Sequence, residues 1–181
     1  MSPPYAMNLV PHLLPDGNME ETGTSEYSNS YVSGLGLLSK DTTTFYSGTQ
    51  SLKIKNPGGY APQCGCGWVS PGFPSNNSNI WRIVGYARGY NSGFPAHPTV
   101  YVLSGAAPLK IWDGTNSENW QKFDILFTLT STITNIVLLG NHLQDGSTVT
   151  SVWYDDIQLT PGLVMAGGSG DTNRRYKWHA F

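Results

Sequence analysis

The segment from Thr148 to Leu159 alternates like a half-buried β-strand, yet it carries two adjacent carboxylates, Asp155 and Asp156. Residues two apart on a strand share a face, so Asp155 is expected to point with Trp153, Ile157 and Leu159 toward the core. A carboxylate is costly in an apolar setting unless a bound cation or a cage of hydrogen-bond donors neutralises it. This conflict between pattern and charge predicts a β-domain whose closing strand holds a locally compensated acid.

Composition points the same way. The chain has 181 residues, long enough for one well-buried core and short for two domains. Charged residues make up 12% and aromatics 12%, which disfavours both disorder and a helical bundle. Strand-like segments recur at Asn8–Leu14, Ser30–Leu38, Thr43–Tyr46, Ser51–Lys55, Gly67–Ser70, Ile80–Tyr90, Pro98–Leu103, Leu109–Trp112, Gln121–Leu129, Asn135–Leu139 and Ser151–Leu159. Turn signals such as Pro15-Asp16-Gly17, Asn56-Pro57-Gly58-Gly59 and Asp113-Gly114 separate them. No segment keeps a helical period over three turns, and no repeat is visible. Cys64 and Cys66 lie too close in sequence for an unstrained disulfide and are too few for a zinc site, so they read as small buried or loop residues, the alternative being a reactive or metal-binding site shared between subunits.

Five motifs then bring a family into view. They are Leu13-Leu14-Pro15-Asp16-Gly17-Asn18-Met19-Glu20, Tyr46-Ser47-Gly48-Thr49-Gln50-Ser51-Leu52-Lys53-Ile54, Ile83-Val84-Gly85-Tyr86-Ala87-Arg88, Asn119-Trp120-Gln121-Lys122-Phe123 and Trp153-Tyr154-Asp155-Asp156-Ile157-Gln158-Leu159. In order and spacing the chain resembles the galactose-binding-like jelly rolls, in particular carbohydrate-binding modules of the xylanase-associated type. The resemblance implies an all-β jelly-roll sandwich of two antiparallel sheets over residues 13–161, with an N-terminal arm (1–12) and a Gly-rich linker and aromatic, basic tail (162–181). It also implies a structural calcium ion with Glu20 and Asp155 as side-chain ligands, and Gly17, Ser51 or Lys53 supplying carbonyl oxygen. The alternative is that Asp155 is caged by backbone N–H groups or paired with Lys53, without metal. Asp16 and Met19 depart from the family's asparagine and aromatic at those positions.

Known catalytic constellations are absent from the sequence: there is no G-x-S-x-G elbow, no H-E-x-x-H, no phosphate loop and no dinucleotide glycine pattern. The expectation is a binding protein without catalytic activity. A glycan site wants an aromatic plate beside polar groups. The candidates are Trp68, Tyr86, Arg88, Tyr90, Trp112 and Asn116, with Trp68 and Trp112 as preferred plates and Trp81, Trp120 and Trp153 as core. A formal net charge of −2 gives no reason to expect nucleic acid, and no apolar run reaches the roughly 20 residues of a membrane span. The start, Met1 to Met7, lacks the basic and apolar regions of a secretory signal. These features suggest a phage virion surface protein that contacts copies of itself or other virion proteins through residues 1–12 and 162–181, and that binds glycans. The alternative is the carbohydrate-binding module of a secreted polysaccharide-degrading system.

Overall fold

Antiparallel pairing accounts for every strand contact in the computed structural model, which describes residues 14–27, 37–56, 63–69, 80–90, 96–104, 107–129, 134–142 and 150–161. The strands are β1 (Leu37–Asp41), β2 (Ser51–Asn56), β3 (Gln63–Val69), β4 (Ile80–Arg88), β5 (Ala96–Ser104), β6 (Ala107–Asp113), β7 (Gln121–Thr128), β8 (Thr134–His142) and β9 (Thr150–Pro161). One sheet has the order β1-β2-β9-β4-β7 and the other β3-β8-β5-β6. No helix occurs among the described residues. The expected two-sheet sandwich is what forms. The arm, the tail and most of the expected strands Asn8–Leu14 and Ser30–Leu38 lie outside the described residues.

The core lies between the sheets because alternate residues of each strand are apolar. On β7, Phe123, Ile125 and Phe127 are buried while Lys122, Asp124 and Leu126 are exposed. Leu52, Ile54, Trp81, Ile83, Val152, Tyr154, Ile157 and Leu159 complete one layer, and Cys66, Trp68, Val100, Val102, Ile136 and Leu138 come from the other. Tyr154 reaches across this core. Its hydroxyl donates to Leu139 O (2.5 Å) and accepts the Thr99 N–H (2.9 Å), where β5 and β8 pair. Removing that hydroxyl leaves buried polar groups without their partner. The Tyr154→Phe variant is expected to lose about 1–3 kcal/mol in urea unfolding.

The closing strand corrects one expectation. Gly85 of β4 faces two residues of β9, Asp156 and Ile157, and Asp156 takes a positive φ of 48°. This bulge switches the faces midway along β9. Val152 and Tyr154 before it, and Ile157 and Leu159 after it, belong to the core cluster. Trp153 and Asp155 instead lie on the outer face of the five-stranded sheet. A side chain at Gly85 would collide with the Phe123 ring, so the bulge and the glycine belong together.

The loop that opens the domain is fixed by a buried ion pair. Lys40 of β1 points inward and meets the Asp16 carboxylate, and it also donates to Met19 O (2.7 Å). Tyr27 donates to the same carboxylate (2.7 Å), and burial followed by that contact pushes its phenol well above the ordinary range. The acid at position 16 is thus explained by the cation it neutralises.

Candidate functional site

Two clusters stand on the outer face of the five-stranded sheet. In the first, Lys53, Trp153 and Arg88 lie side by side across β2, β9 and β4. The Lys53 ammonium is 5.2 Å from the Trp153 ring centroid and the Arg88 guanidinium carbon 5.3 Å. The indole N–H donates to Asp41 (2.9 Å), which also accepts Lys53 (3.1 Å) and the N–H and hydroxyl of Thr43 (2.9 and 2.6 Å). Burial pushes the Asp41 carboxyl up, but the Thr43 hydroxyl, the Trp153 indole, the Thr43 N–H and Lys53 together hold it well below the usual range. Tyr90 stands 6.5 Å from Trp153, ring to ring. Glu118 comes within 3.6 Å of Arg88, too far for a hydrogen bond.

The second cluster is made by the segment between β1 and β2. Thr43–Tyr46, expected as a strand, is a loop, because its N–H groups go to carboxylates and not to a neighbouring strand. Asp41 takes Thr43 and Thr44 (2.9 and 3.2 Å), and Asp155 takes Tyr46 and Ser47 (2.7 and 3.1 Å). Glu20 takes Thr49 and Gln50 (2.9 and 3.3 Å). Gly48, at φ 68°, sits so close to Glu20 that a side chain there would overlap its carboxylate. Held in this way, the loop lays Tyr46 face to face on Tyr86, with ring centroids 3.6 Å apart and planes 15° apart. Trp120 meets Tyr46 edge-on at 5.9 Å. Tyr46 remains 43% exposed and its neighbour Phe45 39%, so one face of the stack is open to solvent. The hydrogen bond to Tyr86 raises the Tyr46 phenol above its ordinary value.

Of the residues singled out in the sequence, Tyr86 and Arg88 share this face, while Tyr90, past the end of β4 and bridged to Ala96, packs against the core. The main chain of Asn116 packs against Gly89. Trp68 does not share that face. It is 3% exposed, stands on the inner face of β3 and donates its indole N–H to Pro15 O (2.9 Å). A ring enclosed by the core cannot serve as an open plate. Trp112 faces inward too, 5.4 Å from Phe123, and is half-buried. Trp120, read as core, is half-buried and forms part of the surface cluster. Tyr46 is not among the aromatic candidates of the sequence because its motif reads as the lead into a strand. What could have flagged it is Asp155 itself, whose buried charge needs donors from a covering loop.

Calcium needs roughly six to eight oxygen ligands, and both expected carboxylates are already tied to donors of the protein. Glu20 and Asp155 converge on one loop, but their oxygens accept N–H groups, whose positive ends repel a cation. Asp155 also takes the N–H of Asp156 (2.8 Å), and Glu20 takes the Thr49 hydroxyl (2.6 Å). Of the expected carbonyl donors, Gly17 O accepts the Ile157 N–H (2.7 Å), and Ser51 and Lys53 stand on β2 in register with Asp41 and Trp153. Among the described residues no three His, Cys, Asp or Glu side chains gather as metal ligands. The first and last parts of the domain are joined by the Gly17–Ile157 bond and the shared loop. A chelator is therefore expected to leave the melting temperature unchanged. A fall reversed by added calcium would show that the carboxylates reorganise around a metal.

No protein-family model matches the chain. No curated protein matches it either. Solved structures do match in fold. A family 16 carbohydrate binding module aligns with a TM-score of 0.55 at 18% identity, covering 82% of this chain and 99% of that one. The CBM22-1 xylan-binding domain from Paenibacillus barcinonensis aligns at 0.55 and 16%, covering 80% and 90%. The enzymatically active domain of tailspike protein 4 from bacteriophage CBA120 aligns at 0.55 and 6%, covering 83% of this chain and 21% of that one. Strand order, the two-layer core and these superpositions agree: the chain is a jelly-roll β-sandwich with the fold of the carbohydrate-binding modules.

Proposed function

We propose that the protein is a non-catalytic glycan-binding module whose sugar platform is the Tyr46–Tyr86–Trp120 cluster. The observation that carries this reading is the open face of Tyr46, backed by a stacked tyrosine and flanked by an indole. Apolar sugar faces stack on such rings, and Arg88 lies on the same side of the sheet as Tyr86 to meet polar groups of the ligand. The platform is preorganised, since the loop's N–H groups are tied to Asp41, Asp155 and Glu20 and little ordering remains for the ligand to impose. Fold likeness to binding modules, one of them named as xylan-binding, supports the same conclusion and an extracellular or surface location.

The test is native electrophoresis through gels containing soluble xylan, mixed-linkage glucan, galactan or polygalacturonate. Retarded migration in at least one gel is expected, and unretarded migration in all of them overturns the proposal. The tailspike likeness favours a second reading, in which the module sits on the surface of a virus particle. That reading expects light scattering to show oligomers that are lost on truncation after Pro161, and a monomer indifferent to the truncation counts against it.

A further inference from the structure

We infer that the glycan held on this face is acidic, with a uronate carboxylate seated on the Nε/Nη2 edge of Arg88 in place of Glu118. The inference rests on the glycan-binding reading and names its substrate class.

The Arg88 guanidinium is pinned over Trp153, yet its hydrogen-bonding capacity is scarcely used. Among the described residues its Nε is buried and has no hydrogen-bond partner. Its Nη2 faces a Glu118 oxygen at 3.6 Å, beyond hydrogen-bond reach. A carboxylate approaching an arginine side-on takes Nε and Nη2 together, in two parallel bonds. Glu118, whose oxygen stands 3.6 Å from Nη2, is itself 48% exposed, so it moves aside at little cost. A buried N–H without an acceptor is destabilising, and a ligand that supplies one recovers that loss on binding.

The other acids on this face are already engaged. Asp41 is shared by Trp153, Lys53 and Thr43, Asp155 by the N–H groups of Tyr46 and Ser47, and Asp156 accepts the Ser47 hydroxyl (2.6 Å). None of them competes for Arg88. Tyr86 lies two residues before Arg88 on the same face of β4, a separation of about 6.6 Å along the strand. One sugar ring on the Tyr46 plate thus leaves its neighbour's carboxylate within reach of the guanidinium.

The experiment compares retardation by polygalacturonate with retardation by neutral galactan, at low and moderate salt. The parent protein should bind the acidic polymer at least tenfold more tightly, with the advantage shrinking as salt rises. Glu118→Gln should strengthen binding to polygalacturonate severalfold. Arg88→Lys, which keeps the cation over Trp153 but loses the fork, should remove most of the acidic preference. Equal affinity for the two polymers, or a Glu118→Gln variant that binds polygalacturonate no better, overturns the inference while leaving glycan binding standing. A protein retarded by no polymer loses both readings.

Discussion

Replacing Tyr46 with alanine is expected to abolish retention on whichever polysaccharide the protein binds, a loss of at least tenfold in affinity, with little change in melting temperature. Truncation removes the plate that a sugar would cover, and stacked aromatics of this kind carry a large share of binding energy at small interfaces. Tyr46 is exposed and contributes little to the core, so stability should fall by less than about 1 kcal/mol. The loop should survive, because its ties to Asp155 run through the Tyr46 and Ser47 main chain and not through the ring. Trp68→Ala should behave oppositely. Removing a buried indole costs about 3–5 kcal/mol. Any binding loss in that variant should disappear when measured well below its melting temperature. If Tyr46→Ala binds as tightly as the parent, the plate lies elsewhere on the molecule.

Stability should increase as pH is lowered from about 7 toward 4, and Asp155 is the expected cause. Burial raises its folded pKa to about 6 from the ordinary 3.8, even though the N–H groups of Ser47, Tyr46 and Asp156 pull the other way. Between those two values the folded protein binds more protons than the unfolded chain, so folding is favoured as protons are added. The effect is of order 1–3 kcal/mol and is complete near the unfolded pKa. Asp41 opposes it only at lower pH. Its folded pKa is depressed, so its contribution is present above its unfolded pKa and is lost below it. Urea unfolding at several pH values measures the slope, and Asp155→Asn should flatten it. A parent protein whose stability falls steadily from pH 7 to 5 would remove Asp155 from this role. Asp155→Ala, which strips the acceptor from three N–H groups, should cost several kcal/mol at neutral pH.

Much of the architecture was legible in the chain before any contact was known. Alternation on β4 and β7 reports which residues face the core, because the side-chain period of two follows from backbone geometry alone. The turn residues mark the gaps between strands for the same local reason. The surplus carboxylate at Asp155 announced that something must neutralise it, and local pattern could say no more than that. The bulge at Asp156 was invisible, since a single extra residue leaves composition and alternation almost intact while it exchanges the two faces. Thr43–Tyr46 misled for a related cause. Its residues favour strand, but two acids claim its N–H groups, the neighbouring Asp41 and the distant Asp155.

The sequence by itself determined a two-sheet β-domain with a compensated acid on its closing strand, because periodicity and charge are properties of each segment taken alone. Only the tertiary structure decided that Trp153 and Asp155 face outward, that Trp68 and Trp112 face inward, and that Tyr46 lies open on Tyr86. Those outcomes depend on which segments meet across the sandwich, with Asp155 and Tyr46 more than a hundred residues apart along the chain. A hydrogen bond of that range is written in no local pattern. It forms because the buried charge can be satisfied by a loop brought over it by the pairing of β1, β2 and β9.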